Sequence, residues 1–387
     1  MKFNLFTLGE LVTIKYGKNQ KKVQSEDGAI PIYGTGGLMG YATDALYDKP
    51  SVLIGRKGTI NKVRYVDHPF WTVDTLFYTE VNEELAIPKY LYYLMSLLDL
   101  DSYNEGTTIP SLRTETLNRL EFDIPDLDYQ GKVLSILEPI DKKINLNEEV
   151  NKNLEQQIRS LCNAWLNDYE PFGGVCPDDW ELTPLSSFAQ FISGYSYKGA
   201  ELQNSSVAMA TIKNFDRKGG FKLDGYKEIV PSSKLKPEHH ANLFDTLVAH
   251  TDLTQNAEVI GNAEPVLSFS GYQDIIFSMD VVKVLPTNPQ VSKFLIAALL
   301  QTQKFKGHCL GYVNGTTVLH LSKKALPEYS LLMPKDFSIL KPLDNAVSVM
   351  YQRMASNIDE NVHLTLLRDS ILPRLMSGEL NVSELEL

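Results

Sequence analysis

Cysteine is scarce in this sequence of 387 residues. The three that occur, Cys162, Cys176 and Cys309, form no C-x-x-C pair, so neither a disulfide framework nor a thiolate zinc site is predicted. Long hydrophobic runs are missing too. The longest, residues 294–300, is far shorter than the ~20 apolar residues of a membrane span, and the N-terminus leads into no apolar signal core. We therefore expect a cytoplasmic protein without membrane contact.

Positive charge is also in short supply, since 37 Lys and Arg face 48 Asp and Glu and the net charge is -11. Such acidity disfavours a nucleic-acid-binding protein. The first 65 residues are an exception, with ten basic side chains against five acidic ones. Because salt screens charges beyond about 8–10 Å, a local basic patch can still contact phosphate. The overall charge therefore lowers the expectation of DNA binding but leaves room for it.

Recognisable catalytic motifs are missing as well. Residues 55–62 are similar to a phosphate-binding loop, but the G-x-x-x-x-G-K-[ST] spacing is not met, so nucleotide binding is disfavoured. The zinc motif H-E-x-x-H, the E-x-K arrangement of many nucleases and the Asn-Pro-Pro-aromatic tetrapeptide of adenine methyltransferases do not occur. We expect no catalytic residue, no metal site and no chemistry of the chain's own.

Residues 33–40 are rich in glycine without forming the G-x-G-x-x-G of a dinucleotide-binding turn. Two interpretations stay open. The segment is either a tight turn or a flexible loop whose backbone can approach a phosphate or a base edge.

An internal repeat organises the chain. Residues 106–125 align without a gap on residues 315–334 at an offset of 209, and both segments share Gly-Thr-Thr, two leucines and a closing proline. Further matches recur at offsets of 177 and 206: Leu8 with Leu185, Gly17 with Gly194, and Asp74 with Asp280. The difference, 206 minus 177, predicts about 29 extra residues in the second half.

Each repeat continues into a heptad pattern. Steps of three and four follow apolar residues from Leu137 to Trp165 and, at an offset of 210, from Val347 to Leu375. Two asparagines interrupt each seam at matching positions: Asn147 and Asn151, then Asn357 and Asn361. A buried asparagine finds a partner in only one alignment, so these residues are predicted to fix helix register. Pro139 should kink the first helix or start it afresh.

The predicted fold class is α+β, with two globular units of mixed α and β structure alternating with two long helices. The expected boundaries are 1–125 for the first unit, 126–169 for a central helix, 170–334 for the second unit, and 335–387 for the second helix and tail. Short β-rich runs are expected at 51–54, 63–66 and 280–284, and helices at 88–98 and 292–301.

Several short motifs occur in a fixed order along this layout: Tyr16-Gly-Lys-Asn19, Ile30-Pro-Ile-Tyr-Gly34, Pro50-Ser-Val-Leu-Ile-Gly-Arg-Lys-Gly-Thr-Ile60, Pro69-Phe-Trp-Thr-Val-Asp74 and Leu372-Pro-Arg-Leu-Met-Ser-Gly-Glu-Leu380. Together with the repeat, they make the chain resemble the DNA-specificity (S) subunit of type I restriction-modification enzymes. The resemblance covers essentially the whole chain. It rests on the order and spacing of the motifs rather than on any one of them.

The resemblance implies a non-catalytic reader of double-stranded DNA. Each globular unit would be a target-recognition domain for one half of a split sequence, and the two helices would pack as an antiparallel coiled coil with a pseudo-two-fold axis. In that arrangement Asn147 should face Asn361 and Asn151 should face Asn357. The implied partners are two methylation subunits and the restriction and translocase subunits. S-adenosylmethionine, ATP and magnesium would belong to those partners, with no cofactor on this chain.

Base readout uses Arg, Lys, Asn, Gln and small hydroxyl side chains. The candidates in the first unit are Lys18, Asn19, Tyr33, Thr35, Arg56, Lys57 and Asn61. The candidates in the second unit are Tyr195, Tyr197, Lys198, Lys213, Asn214, His250 and Thr251. The alternative is that the glycines fix turns and the charges are solvated. Because readers of different sequences should not share base contacts, the threonine pairs 107–108 and 316–317 are expected to be structural or to touch phosphate.

Two other functions stay open from the residues alone. One is a duplicated coiled-coil scaffold that binds only proteins, and the other is a DNA methyltransferase whose catalytic motif has diverged. Salt-dependent DNA binding distinguishes a reader from a scaffold, and methyl transfer by the isolated chain would indicate the enzyme.

Overall fold

The computed structural model of the protein describes residues 3–254 and 256–384. The chain forms two compact units, unit 1 from residues 1–142 and 364–387 and unit 2 from residues 143–363. Each unit therefore joins one globular region to the adjoining halves of two long helices. The expected ends of the globular regions, residues 125 and 334, are the last residues of two strands. The four-segment plan itself stays a prediction.

Unit 1 contains both strands and short helices, with seven strands in succession between α1 and α2. Its strands are β1 (Phe3–Thr7), β2 (Val12–Tyr16), β3 (Ile30–Gly34), β4 (Gly37–Ala42), β5 (Ser51–Gly55), β6 (Val63–Val66), β7 (Trp71–Thr72), β8 (Leu76–Val81) and β9 (Glu121–Pro125). Its helices are α1 (Leu8–Leu11), α2 (Pro88–Ser96) and α3 (Thr114–Asn118), and β9 leads into the long helix α4 (Leu127–Leu166).

The main sheet of unit 1 has the strand order β2-β8-β5-β6 and is antiparallel. Every residue of β5 is buried, because the strand lies between β8 and β6 and helix α2 packs against it. Pro88 opens α2, where a missing amide loses no helical hydrogen bond. A smaller sheet has the order β4-β3-β7, and β1 pairs with β9. The strands predicted at 51–54 and 63–66 and the helix predicted at 88–98 are confirmed.

Unit 2 has the same kind of composition. Its strands are β10 (Trp180–Pro184), β11 (Ala189–Ser193), β12 (Val207–Ala210), β13 (Lys227–Glu228), β14 (Thr246–Ala249), β15 (Thr251–Asp252), β16 (Ala263–Pro265), β17 (Asp274–Phe277), β18 (Val281–Pro286), β19 (Val313–Asn314), β20 (Leu319–Leu321) and β21 (Ser330–Pro334). Its helices are α5 (Lys293–Leu300), α6 (Gln303–Leu310), α7 (Ala325–Glu328) and the long helix α8 (Lys341–Met376).

The main sheet of unit 2 has the order β11-β18-β14-β16, and α5 packs on it. The Ser292 hydroxyl caps α5 by accepting the amides of Phe294 and Leu295, each at 3.1 Å. Residues 295–300 are all buried, so the longest apolar run of the chain is a core helix. None of the helices formed by residues 3–254 and 256–384 is long and apolar enough to cross a lipid bilayer.

Matching hydrogen bonds occur at matching positions of the two units. Phe3 pairs with Pro125 in unit 1, and Trp180 pairs with Pro334 in unit 2, which are the positions given by offsets of 177 and 209. The Leu8 amide donates to the Leu120 carbonyl at 2.7 Å, and the Leu185 amide donates to the Tyr329 carbonyl at 2.7 Å. The aligned residues thus occupy equivalent backbone positions at the opening and close of each globular region.

The repeated Gly-Thr-Thr segments owe their glycine to a close backbone approach. A Cβ on Gly106 would lie 1.9 Å from the Ile109 carbonyl oxygen, and a Cβ on Gly315 would lie 2.2 Å from that of Val318. Any side chain would collide with the backbone at either position. The threonines that follow are exposed in both halves, so a phosphate contact and a structural role both stay open for them.

Helix α4 continues through Pro139, so the expectation that the helix would start afresh there is wrong. Both Pro139 and Ser135, whose carbonyl the proline deprives of a donor, are exposed, so water can satisfy that carbonyl. In unit 1 the buried Leu137 shares a core with Leu372 and Leu375 of α8.

In unit 2 the two helices share a core that contains Ile158 and Val347, and two asparagine pairs join them. Asn147 Nδ2 donates to Asn361 Oδ1 at 2.8 Å, and Asn357 Nδ2 donates to Asn151 Oδ1 at 2.7 Å. These are the pairs predicted for antiparallel helices. Their role in fixing helix register stays a prediction.

Candidate nucleic-acid interface

The segment 71–74 gathers three candidate residues of unit 1. The Thr72 carbonyl accepts the Lys18 amide, and the Trp71 indole N–H donates to the Lys18 carbonyl, both at 2.8 Å. The Val73 amide donates to the Tyr33 carbonyl at 3.0 Å, and the Asp74 carbonyl accepts from Arg56 Nη1 at 2.9 Å. Residues distant in sequence therefore lie on one side of unit 1.

The loop that follows β5 carries the remaining basic candidates. The Arg56 guanidinium lies 5.1 Å above the ring of Tyr16, and Lys57 beside it is exposed. Thr35 Oγ1 lies 3.7 Å from the point that a Cβ on Gly58 would occupy, so the turn after β3 borders this loop. The exposed Asn61 closes the loop. Contacts with Tyr16 and Asp74 thus hold the Arg56 side chain in place. Lys57 and Asn61 beside it expose further polar side chains to solvent.

Two glycine-rich segments can now be interpreted. The fully described loop 56–62 joins strand to strand rather than strand to helix, which differs from the geometry of a phosphate loop. Residues 33–40 form a hairpin in which Gly34 pairs with Gly37 around a two-residue turn, so the tight-turn interpretation is confirmed. Gly37 has a φ of 118°, which favours glycine.

Unit 2 repeats two backbone hydrogen bonds of unit 1, in which the Lys18 amide donates to the Thr72 carbonyl and the Arg56 amide donates to the Thr75 carbonyl, each at 2.8 Å. The Tyr195 amide donates to the Phe277 carbonyl at 2.7 Å, and the His250 amide donates to the Asp280 carbonyl at 2.9 Å. The His250 carbonyl accepts the amide of Leu321 at 2.8 Å, just as that of Arg56 accepts the amide of Leu112 at 3.0 Å. His250 therefore occupies the place of Arg56.

His250 differs from Arg56 in charge. Burial lowers the pKa of its imidazole, with the nearby His320 and Lys323 adding to the effect. The shift favours neutral His250 near pH 7, whereas the side chain of Arg56 presents a guanidinium group. Equivalent backbone positions thus present different chemistry, as expected of readers with different targets.

Residues 1–156 match the family model described as the type I restriction modification DNA specificity domain. Two relatives extend the match along the chain. The chain is 23% identical to the type I restriction enzyme HindI specificity subunit of Haemophilus influenzae, over 80% of this chain and 81% of that protein. It is 21% identical to the type I restriction enzyme MjaIX specificity subunit of Methanocaldococcus jannaschii, over 88% and 80%. These likenesses support a specificity subunit of a type I restriction-modification enzyme.

The fold of this chain is also found in a solved structure. The crystal structure of the type I restriction-modification S subunit from M. genitalium superposes with a TM-score of 0.59 at 17% identity, covering 97% of this chain and 96% of the other. The mixed helix and strand content and the two long helices are therefore features of a known fold.

Three candidate base readers are corrected. Tyr195 is buried and its hydroxyl bonds Glu201 at 2.8 Å and Ser232 at 2.9 Å. Asn214 is fully buried and bonds only backbone, from Thr211 and to Lys222, each at 2.8 Å. Thr251 is buried and donates to Asp280 at 3.1 Å. Their polar atoms satisfy the fold and do not face solvent, so none of the three can contact a base.

The other candidates keep accessible side chains. Lys18, Asn19, Lys57, Asn61, Lys198 and Lys213 are exposed, and Tyr33, Thr35, Arg56, Tyr197 and His250 are half-buried. Asn19 Oδ1 already accepts the Lys21 amide at 2.9 Å, and the Lys198 amide donates to Glu201 at 2.7 Å. Lys213 borders an open cleft of about 360 Å³ together with Arg217 and Lys222. DNA contact by these residues stays a prediction.

Two side chains beside Tyr33 are not among the candidates that the sequence indicates. The Arg64 guanidinium lies 5.4 Å above the Tyr33 ring, and His68 Nε2 lies 3.1 Å from the Tyr33 hydroxyl. Burial raises the pKa of Tyr33, so its hydroxyl stays neutral. Arg64 was visible only as one charge of the basic N-terminal segment, because the pairing of β3 with β7 that brings these residues together is not local in sequence.

Within the described ranges, His, Cys, Asp and Glu side chains form no group of three that could hold a metal ion. The site that the structure does build is a set of exposed cations, aromatic rings and amides on the globular regions. Such side chains are suited to phosphate and base contacts rather than to bond-breaking chemistry.

Proposed function

We propose that this chain is the non-catalytic, DNA-reading subunit of a type I restriction-modification complex. It recognises a bipartite sequence and holds the methylation and restriction subunits. The observation that carries the proposal is one arrangement built twice: Arg56 and His250 occupy matched backbone positions in two globular regions, with different side chains at the surface. A duplicated reader with a changed reading residue is what a split target requires.

We infer that the two halves arose by duplication. The support is the agreement between sequence offsets and hydrogen bonds, since offsets of 177 and 209 map β1–β9 onto β10–β21 residue by residue. The offset of 210 maps the two seam asparagines of α4 onto those of α8.

We propose that α4 and α8 form an antiparallel coiled coil that spaces the two readers. A helix of 40 residues is about 60 Å long, more than one DNA turn of ~34 Å. The asparagine pairs would penalise any slip of one helix along the other, because displaced amides would be buried without partners.

The relatives are named as specificity subunits of restriction enzymes, which supports an assembly with other subunits. We propose two methylation subunits, one for each half of the scaffold, together with restriction and translocase subunits. S-adenosylmethionine, ATP and magnesium would be held by those partners. We expect the complex to work in the cytoplasm, where its DNA lies.

Charge reversal tests DNA reading. The variant Arg56→Glu/Lys57→Glu should weaken binding of the full chain to duplex DNA and flatten its salt dependence, because each lost phosphate contact lowers the slope of log affinity against log salt by about 0.9. The control Arg119→Glu/Lys142→Glu changes the net charge equally at exposed residues outside the cluster. An unchanged affinity and slope in the first variant would remove this patch from the interface.

Modularity provides a second test. Replacing residues 1–125 by the matching region of a related subunit should change one half of the methylated sequence and leave the other half intact. A change in both halves would mean that the units do not read independently. Protein binding without any DNA binding would favour the scaffold, and methyl transfer by the isolated chain would favour the enzyme.

A further inference from the structure

The β3–β4 hairpin of unit 1 exposes apolar side chains in an unusual concentration. Residues 28–43 carry no charge, yet Leu38, Met39 and Tyr41 are 53%, 56% and 44% exposed. Single exposed apolar residues are common on protein surfaces, whereas several on one short ribbon indicate a contact surface.

A β-bulge explains why neighbouring residues are both exposed. Ile32 pairs with Gly40 and Tyr33 pairs with Leu38, so Met39 is an extra residue on β4. In a regular strand Leu38 and Met39 would point to opposite faces. The extra residue interrupts this alternation, and bulges are frequent next to functional sites.

The side chain of Met39 packs against Gly34. A Cβ on Gly34 would lie 2.3 Å from Met39 Sδ, so the methionine side chain lies across the space that this glycine leaves open. The thioether therefore lies against Gly34 at the hairpin surface. A flexible side chain in a fixed position is suited to an apolar partner.

Cations flank the turn of the hairpin. The Arg64 guanidinium lies 3.4 Å from the point that a Cβ on Gly37 would occupy, and the loop with the exposed Lys57 borders Thr35 in the turn itself. The acidic residues Glu26, Asp27 and Asp44 lie beyond the open end of the hairpin. The turn end thus combines an apolar surface with positive charge.

We propose that the β3–β4 hairpin of unit 1 enters a groove of duplex DNA, where Leu38 and Met39 make apolar contacts to base edges and Arg64 and Lys57 hold the flanking phosphates. This inference rests on the proposed function. A two-stranded ribbon fits the major groove, about 12 Å wide, and the thymine methyl group is recognised there by apolar contact. The flanking cations favour DNA over a protein partner, since protein interfaces are depleted in lysine.

The test uses the full chain assembled with its methylation subunits, and the methylated sequence is read from host DNA. The variant Leu38→Ala/Met39→Ala should relax one or two base pairs in one half of the target, with discrimination falling about tenfold or more at each. The other half should not change. The control Leu5→Ala removes a side chain that is 61% exposed on β1 of the same unit, and it should leave the target intact.

A second variant tests the contact between Met39 and Gly34. Gly34→Ala should displace only the flexible end of Met39, so thermal stability should hold while the same half of the target relaxes less than in the double variant. An unchanged target in both variants overturns the inference. So does lost assembly with the methylation subunits while DNA binding by the chain alone persists, which would make the hairpin a protein interface. Absence of DNA binding in the unaltered complex would instead overturn the proposed function.

Discussion

The two units place different chemistry at corresponding positions of the two long helices. In unit 1, Arg368 Nη1 of α8 lies 2.9 Å from Asp141 Oδ1 of α4. The offset of 210 maps Asp141 onto Tyr351 and Ile158 onto Arg368. In unit 2, Tyr351 and Ile158 are both buried in one apolar cluster. The same layer is an ion pair in one unit and a hydrophobic core in the other.

The surroundings differ accordingly. Asp141 also accepts the Tyr93 hydroxyl at 2.5 Å and lies 3.7 Å from Lys89 Nζ. Burial and this hydrogen bond raise the pKa of Tyr93, so its hydroxyl remains a donor. In unit 2, the Tyr351 hydroxyl donates to Gln301 at 2.5 Å. Because a buried ion pair adds little net stability, we expect this one to constrain which helix pairs with α4 rather than to add stability.

The largest effect is expected from breaking the ion pair in unit 1. Arg368→Met should destabilise this unit by about 3 kcal/mol, because the mostly buried Asp141 loses its guanidinium partner. Hydrogen exchange of unit 1 amides measures the loss unit by unit. The control Arg353→Met alters an exposed arginine of α8. A loss as small as that of the control would show that Lys89 and Tyr93 suffice for Asp141.

A pH response should appear in unit 2 instead. Burial raises the pKa of Glu264 to about 7, although the Gly220 amide, at 2.7 Å, opposes the shift. The unfolded state therefore loses this proton at lower pH than the folded state, and stability falls as pH rises from about 4.5 to 7. The loss relative to Glu264→Gln should reach ~3 kcal/mol. Unfolding of both proteins across this range checks it, and parallel curves would contradict the assignment.

The periodic features of this comparison could be predicted from the sequence, and the contacts made by single side chains could not. The seams and asparagine pairs repeat every three and four residues, so helix geometry determines their faces. Tyr195, Asn214 and Thr251 have the residue types of base readers, but burial decided that their polar atoms serve the fold. The bulge at Met39 arises from cross-strand register, which local pattern does not reveal.

Removing the asparagine pairs should have a smaller effect with the opposite sign. Changing Asn147, Asn151, Asn357 and Asn361 to leucine should raise thermal stability by a few degrees, since Asn357 Oδ1 is buried without a donor among the described residues. Register control should weaken, which cross-linking between α4 and α8 would detect. The matched control Asn153→Leu/Asn345→Leu changes exposed positions of the same helices. A drop in stability would show that the pairs contribute more than register.

The smallest effect is expected from replacing the ion pair of unit 1 by apolar side chains, which occupy the corresponding positions in unit 2. Asp141→Leu/Arg368→Ile removes both charges of the pair together, while Lys89 keeps its cation–π contacts with the rings of Tyr65 and Tyr92. Stability should therefore stay within about 1 kcal/mol of the parent. The hydroxyl of Tyr93 loses its acceptor, so Tyr93→Phe is added as a third change. If the ion pair selects α8 as the partner of α4, this variant should fold and should also accept other helices in place of α8. Methylation by the assembled complex would measure that tolerance. A loss as large as that of Arg368→Met would instead make the ion pair a source of stability.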